Sequence, residues 1–455
     1  MKKVQRLYYS GMALAMLLCV AGELIWLPDP LRLGKALYWI DALDLLVYIL
    51  ALVPLIWMIA SIRKLFNIRQ ESHLRWAKIR SGAVFISGGI AMIVILTIPK
   101  QLQFSVSAFA LSWLLVFVDL FFSERKWRKI PVRSMSVFVL TLCLLFVLFF
   151  PTRYLVTYPG ITLNMNRYAQ VNGGIPHGEI SGVLVFDRPA FPMDWVYAKL
   201  FPHYYFEVNN LGMSIGDYNQ QVRTMKVDAN EAGSAIALQK LGRGKGITST
   251  GVLITGIAKN SPVEGILQPG DVIEEVGGES VKSVQELTDR MAMTTPGDQV
   301  EVTVLRAGKP LTLKAGTRAN PDNPGRAAFG IYVSNELQYD IPEKVNYHNY
   351  LFHEGGPSHG AMLALTLIDQ LTPGGVLNGH KVAGTGTMEL DGIVGPVGGL
   401  EQKAYTVSRT DADVFFVPVS NEAEARKGAS GLLIVPVRSI DDILDWLRDH
   451  PKPGA

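Results

Sequence analysis

The chain of 455 residues is 49% hydrophobic and only 18% charged, with a mean hydropathy of +0.22, a balance that excludes one soluble globule of this length. Its formal charge of +3, from 43 basic and 40 acidic residues, argues against nucleic acid as a partner. The two cysteines, Cys19 and Cys143, both lie inside apolar runs, which excludes a disulfide scaffold.

The apolar excess sits in the first third, which predicts a multi-pass α-helical membrane domain over residues 1–150. Five stretches, near 7–27, 40–61, 81–99, 104–122 and 134–150, are long enough to cross a hydrocarbon core, which takes about 20 helical residues. The first follows Lys2, Lys3 and Arg6 as a secretory leader would. It runs on without a small-residue cleavage site, however, and further spans follow, so it reads as a retained helix. The connection after the second stretch carries Arg63, Lys64, Arg69, Arg75, Lys78 and Arg80, and the one after the fourth carries Arg125, Lys126, Arg128, Lys129 and Arg133. Basic residues in short loops mark the cytoplasmic side. A cell-membrane protein with a cytoplasmic N-terminus follows, and five passes place everything beyond residue 150 outside the cytoplasm. Glu23, Asp41, Asp44 and Asp119 lie near span ends and read as interfacial anchors rather than as a transport path.

From 151 onward Gly, Pro, Asp and Glu increase and short β-type runs appear, such as Val183 to Phe186, so an α+β ectodomain is expected, with its first part over 151–246. Gln220 to Leu241 reads as a helix stopped by Gly242, and 242–246 as a flexible joint. The joint is not a phosphate loop, because Gln239 and Gly246 stand where that pattern needs Gly and Ser/Thr; no cofactor is predicted. Residues 247–316 form a β-rich unit. A strand over Val252 to Ile257, a tight turn at Pro269-Gly270-Asp271, a helix capped by Ser283 with Glu286 three residues on, and a closing strand at Val300, Val302 and Val304 are all legible.

The remaining stretch, 317–450, holds the candidate chemistry. Pro357 suits a first helical turn, which places Ser358 at a helix N-terminus, where N–H groups favour developing negative charge. A serine there is ordinarily only a cap, and a nucleophile needs a base. Lys403 follows Gly398-Gly399-Leu400 at the start of another helix, and Thr385 in Val382-Ala383-Gly384-Thr385-Gly386 supplies a hydroxyl able to orient a lysine. A triad drawn from His353 or His359 with Asp391 is the competing arrangement, disfavoured because neighbours such as 358 and 359 point apart on a helix. No paired-ligand spacing for a metal occurs.

Two resemblances bear on these residues. The run from Asn260 to Val281, N-S-P-V-E-G-I-L-Q-P-G-D-V-I-E-E-V-G-G-E-S-V, resembles bacterial protease-associated PDZ domains. That implies a groove that adds a peptide as an extra strand, with backbone N–H groups near Ser249, Thr250, Gly251 and Val252 holding a chain-terminal carboxylate. Gly356-Pro357-Ser358, Thr385-Gly386 and Pro396 to Lys403, in that order, resemble the motifs of the Lon protease family, and the ectodomain as a whole resembles membrane-anchored, PDZ-containing Lon-like proteases. The resemblance implies a Lon-type proteolytic domain with an inserted PDZ domain, acting on protein or peptide substrates without ATP. Ser358 would be the nucleophile, Lys403 the general base and Thr385 the group that positions it; a ring-like homo-oligomer is also implied. His359 departs from the family's small residue after the serine, which keeps open a catalytically inactive membrane scaffold that binds protein termini.

Overall fold

The computed structural model describes residues 2–33, 37–67, 74–99, 101–125, 129–209, 215–321, 323–350 and 355–453. Its first third contains helices α1 (Lys2–Glu23), α2 (Trp39–Ile49), α3 (Leu52–Asn67), α4 (Leu74–Thr97), α5 (Leu102–Arg125) and α6 (Val132–Phe149). Among the described residues, Val4–Glu23, Arg75–Thr97, Gln103–Arg125 and Val132–Phe149 are long and apolar enough to cross a membrane as single helices. The expected span over 40–61 is divided instead into α2 and α3. Pro54 lies in the first turn of α3; in one continuous helix its ring would collide with the Leu50 carbonyl and it would leave a bond unmade. The break falls at Leu50 and Ala51.

Contacts at the two ends of the bundle give the helix directions. At one end Tyr8 donates to Asp119 at 3.1 Å, and Lys64 reaches Asp119 and Ser123, each at 2.6 Å. Arg80 adds a 3.4 Å contact to Asp119, and Glu124 accepts the N–H groups of Arg133 and Ser134 at 3.1 and 2.7 Å, closing the start of α6. At the other end Glu23 pairs with Arg188, Asp41 with Arg167 at 3.1 Å, Asn164 donates to Tyr38 at 2.8 Å, and Met193 N donates to the Val147 carbonyl at 3.1 Å. Among the described residues the chain therefore alternates ends along α1, the α2–α3 pair, α4, α5 and α6. Glu23, Asp41 and Asp119 are thus paired with cations rather than anchored at headgroups, while the Asp44 side chain lies outside what is described. Ile86, Ile90, Leu140 and Phe146 face outward from the bundle, as a lipid environment requires.

By contacts the chain forms two compact units, one of 1–227, 346–387 and 394–455, the other of 228–345 and 388–393. After the bundle come β1 (Tyr154–Asn164), β2 (Ile180–Pro189), α7 (Asp194–Leu200), β3 (Tyr205–Val208) and α8 (Ile215–Lys240), within which the boundary between units falls.

The second unit is built from β4 (Gly246–Ile257), β5 (Val272–Val276), α9 (Val284–Ala292), β6 (Gln299–Arg306), β7 (Lys309–Gly316) and β8 (Ile331–Asp340). Its sheet order is β7-β6-β5-β4-β8. The alternating valines of β6 bury Val302 and Val304 against Val252, Ile254, Ile273 and Leu287. The tight turn earns its aspartate: Asp271 is buried and Arg306 grips it with two 2.7 Å hydrogen bonds. Ser283 caps α9 by accepting from Glu286 N at 3.2 Å. The unit does not end at 316, because β8 pairs with β4 from Ile331↔Ile257 to Asp340↔Gly246.

The first unit resumes with α10 (Gly360–Leu371), β9 (Val382–Gly384), α11 (Leu400–Ser408), β10 (Val414–Pro418), α12 (Glu422–Gly428), β11 (Ile434–Val437) and α13 (Ile440–Asp449). Its sheet order is β11-β10-β9-β2-β1-β3; β9 runs parallel to both β2 and β10, and β1 antiparallel to β2 and β3. α10 is buried from Gly360 to Gln370, and its polar side chains are satisfied: Asp369 accepts from His177 N and Val376 N at 3.1 and 2.9 Å. α11 and α12 pack so closely that a Cβ on Gly428 would lie 1.9 Å from the Glu401 carbonyl oxygen, so only glycine fits there.

Candidate active site

The site assembles at the carboxyl end of β9, where parallel strands leave a crevice beyond their ends. Pro357–His359 form a single 3₁₀ turn that leads into α10, with Pro357 at its first position. The turn is fastened to the end of β9 by three bonds: Gly386 N and Thr385 Oγ1 both donate to the Ser358 carbonyl, at 2.8 and 3.0 Å, and Ala361 N donates to the Gly386 carbonyl at 3.1 Å. Ser358 itself is half-buried and so open to a reactant.

Lys403 approaches from α11. Gly399 starts that helix with φ of +69°, a left-handed conformation that favours glycine and turns the chain from the preceding loop into the helix. Asn421 accepts from Val397 N at 3.0 Å and returns a bond to its carbonyl at 3.1 Å, while Glu424 accepts from Leu400 N at 2.9 Å and caps α11. Lys403 is 2% exposed and its amine donates to Thr385 Oγ1 at 3.0 Å. Burial lowers the Lys403 ammonium to about 7, against a smaller opposing pull from Glu424. A neutral amine that donates one hydrogen to a threonine keeps its lone pair for a second proton, so this group can act as a base near neutral pH.

The structure thus brings Ser358, Thr385 and Lys403 onto one connected path of hydrogen bonds. His359 is turned away from that path. It is buried, its Nδ1 lies 3.1 Å from the Gly356 carbonyl, and its ring meets Tyr168 edge-on at 5.3 Å. Burial depresses it to about 4, leaving a neutral ring that fills space between the turn and Tyr168. Asp391 belongs to the other unit, and His353 and Glu354 lie outside the described residues. Among the described residues no cluster of three His, Cys, Asp or Glu is placed to hold a metal.

Ser249, Thr250, Gly251 and Val252 lie in the second unit, within β4. β4 is an interior strand: Ser249, Gly251 and Val252 are register partners of Leu337, Glu336 and Asn335 of β8, and Val252 also faces Ile273 of β5. Among the described residues one edge of that sheet is β8, beside α9, whose Val284 N donates to Asn335 at 2.8 Å; the other edge is β7. β8 begins at Ile331, directly after Gly330, which has φ of +71°. Sequence reasoning also missed Asn421 and Glu424; their three-residue spacing after the apolar run 414–419 is the signal that was present.

Comparison with known proteins bears on both units. A family model described as the Lon protease (S16) C-terminal proteolytic domain matches residues 343–448, and one for the PDZ domain matches 212–317. Lon protease 1 of Myxococcus xanthus is 33% identical over 141 residues, 28% of this chain and 17% of that protein. The Lon protease of Neorickettsia sennetsu is 25% identical over 239 residues, 48% of this chain and 27% of that protein. This chain therefore spans only a minor part of the length of these relatives. Among solved structures, the PDZ domain of an SdrC-like protein from Listeria monocytogenes is 25% identical, covering 19% of this chain and 90% of that one, with a TM-score of 0.18.

Proposed function

From the premise that this chain joins a Lon-type proteolytic domain and a PDZ domain to helices apolar enough to span a membrane, we propose that it is a membrane-bound serine endopeptidase. It works without ATP through a Ser358–Lys403 dyad, and its PDZ domain recruits or gates protein substrates outside the cytoplasm. The observation that carries this reading is the buried amine of Lys403, which donates to Thr385 Oγ1, whose hydroxyl in turn donates to the carbonyl of Ser358.

The chemistry follows from the positions. Ser358 Oγ attacks a peptide carbonyl while its proton passes to the Lys403 amine; the C–O bond forms and the carbonyl electrons move onto oxygen. Backbone N–H groups near Ser358, beyond Pro357, receive that oxyanion. Collapse breaks the C–N bond, the departing amine takes the proton from Lys403, and water repeats the sequence to release the acyl group. The substrate peptide would add to β8, the open edge beside α9. Extracytoplasmic placement is supported by the basic residues, among them Arg63, Lys78 and Arg133 in the terminal turns of their helices, at the Tyr8–Asp119 end of the bundle, opposite the end that meets β2 and α7.

The test uses the full chain in lipid nanodiscs with casein and no nucleotide, with new termini read by peptide mass spectrometry. New termini from wild type but not from Ser358→Ala are expected. No cleavage by wild type, with peptides still captured by the PDZ domain, would favour the scaffold.

A further inference from the structure

Lys403 occupies the inward face of α11, and the rest of that helix is held by segments far away in sequence. His203 Nδ1 lies 2.7 Å from Glu401 Oε1, Gln402 donates to the His203 carbonyl at 3.1 Å, and the His203 and Tyr405 rings are 4.7 Å apart. The other holding segment comes from the membrane domain. Trp26, in the connection between α1 and α2, is fully buried at 0% exposure. Its ring lies 5.8 Å from Phe201, 6.4 Å from Tyr204 and 6.5 Å from Tyr405. Arg409, the residue after α11, stacks over Trp26 at 5.6 Å and over Tyr405 at 5.8 Å, and donates to the Leu27 carbonyl. Asp29 fastens the same connection to β1 by accepting from Thr162 N at 3.0 Å.

We propose that Trp26 is a positioning residue for catalysis: the first connection of the membrane domain braces α11 from outside and so sets where the Lys403 amine stands beside Thr385. The inference rests on the dyad reading above. Two physical facts connect the brace to the reaction. The amine is a base near neutrality only while water is kept from it, and a helix free to relax outward into the space of a missing indole admits water. A displacement of about 1 Å between reacting groups is also enough to cost about 100-fold in rate. Trp26 touches no substrate, so substrate affinity does not depend on it. The membrane helices are thus more than an anchor, since an ectodomain cut at residue 151 lacks Trp26, Leu27 and Asp29.

The experiment measures kcat and KM for fluorescein-labelled casein between pH 6 and 9.5, with the full chain in nanodiscs. It compares wild type, Trp26→Ala, Trp26→Phe, Arg409→Met and Lys403→Ala. Trp26→Ala should lower kcat at pH 7.5 by about 10- to 100-fold, leave KM within about twofold, and move the midpoint of the rate profile up by about one pH unit, so that the loss shrinks at pH 9. Trp26→Phe, which keeps an aromatic ring in the cluster, should restore both kcat and midpoint, and Arg409→Met should fall between. If Trp26→Ala does not fold, Arg409→Met decides by the same midpoint. An unmoved midpoint, or a loss equal at every pH, overturns the brace while leaving the dyad standing. A Lys403→Ala variant as active as wild type overturns the dyad reading itself and the brace with it.

Discussion

Two buried lysines in this chain have opposite surroundings. Lys64 is 7% exposed and meets Asp119 at 2.6 Å in the helical bundle; Lys403 is 2% exposed and donates to a hydroxyl, Thr385, at 3.0 Å. Desolvation acts on both, so the partner decides the outcome. The first lies in an ion pair with a carboxylate, whereas burial without a contacting carboxylate among the described residues lowers the second to about 7.

The largest effects separate the pair by activity. Ser358→Ala and Lys403→Ala should each reduce casein cleavage by about 10⁴-fold or more. Lys403→Arg should be as inactive, because a guanidinium stays protonated at every working pH. In stability the order reverses. Lys403→Met removes a polar group that is costly to bury and should stabilise the fold by on the order of 3 kcal/mol at pH 7, measured by thermal unfolding. The sign is fixed by the lowered proton affinity: between about pH 7 and about 10.4 the unfolded chain binds more protons than the folded one. Wild-type stability therefore rises with pH across that window, and the rise should vanish in Lys403→Met. Asp119→Leu, by contrast, removes the carboxylate that Lys64 and Arg80 share and should destabilise by about 3 kcal/mol; adding Lys64→Met should recover much of the loss.

Smaller changes sharpen the same comparison. Thr385→Val takes the acceptor from the Lys403 amine and the donor from the Ser358 carbonyl; a drop in kcat of about 10- to 100-fold is expected, with Thr385→Ser close to wild type. The smallest effect belongs to His359. His359→Phe should lose about 1 kcal/mol of stability with the bond to the Gly356 carbonyl, and leave the pH profile of cleavage where it was. A shifted profile would return His359 to the mechanism.

Features carried by short, local chemistry were legible in the sequence. Pro357 beginning a turn, Ser283 capping α9 and Gly399 opening the lysine helix each follow from one or two residues and their conformational preferences. What escaped depends on partners remote in the chain. β8 was unreadable because its reason to be a strand is β4, its partner about 80 residues earlier in the chain. The second span looked continuous by hydropathy, which does not register the clash between Pro54 and the Leu50 carbonyl. Trp26 reads in sequence as one more aromatic at a membrane boundary; only packing against Tyr405 and Arg409 gives it another role.

The central claim is that Ser358 is activated by a neutral Lys403, and the most direct measurement is reaction of the full chain with a fluorophosphonate, followed by mass spectrometry of the modified residue as a function of pH. The account predicts modification at Ser358, rising with pH through a midpoint of about 7 and absent in Lys403→Ala. Modification of Ser358 at the same rate in Lys403→Ala, or no preference for Ser358 over other hydroxyls at any pH, would contradict it.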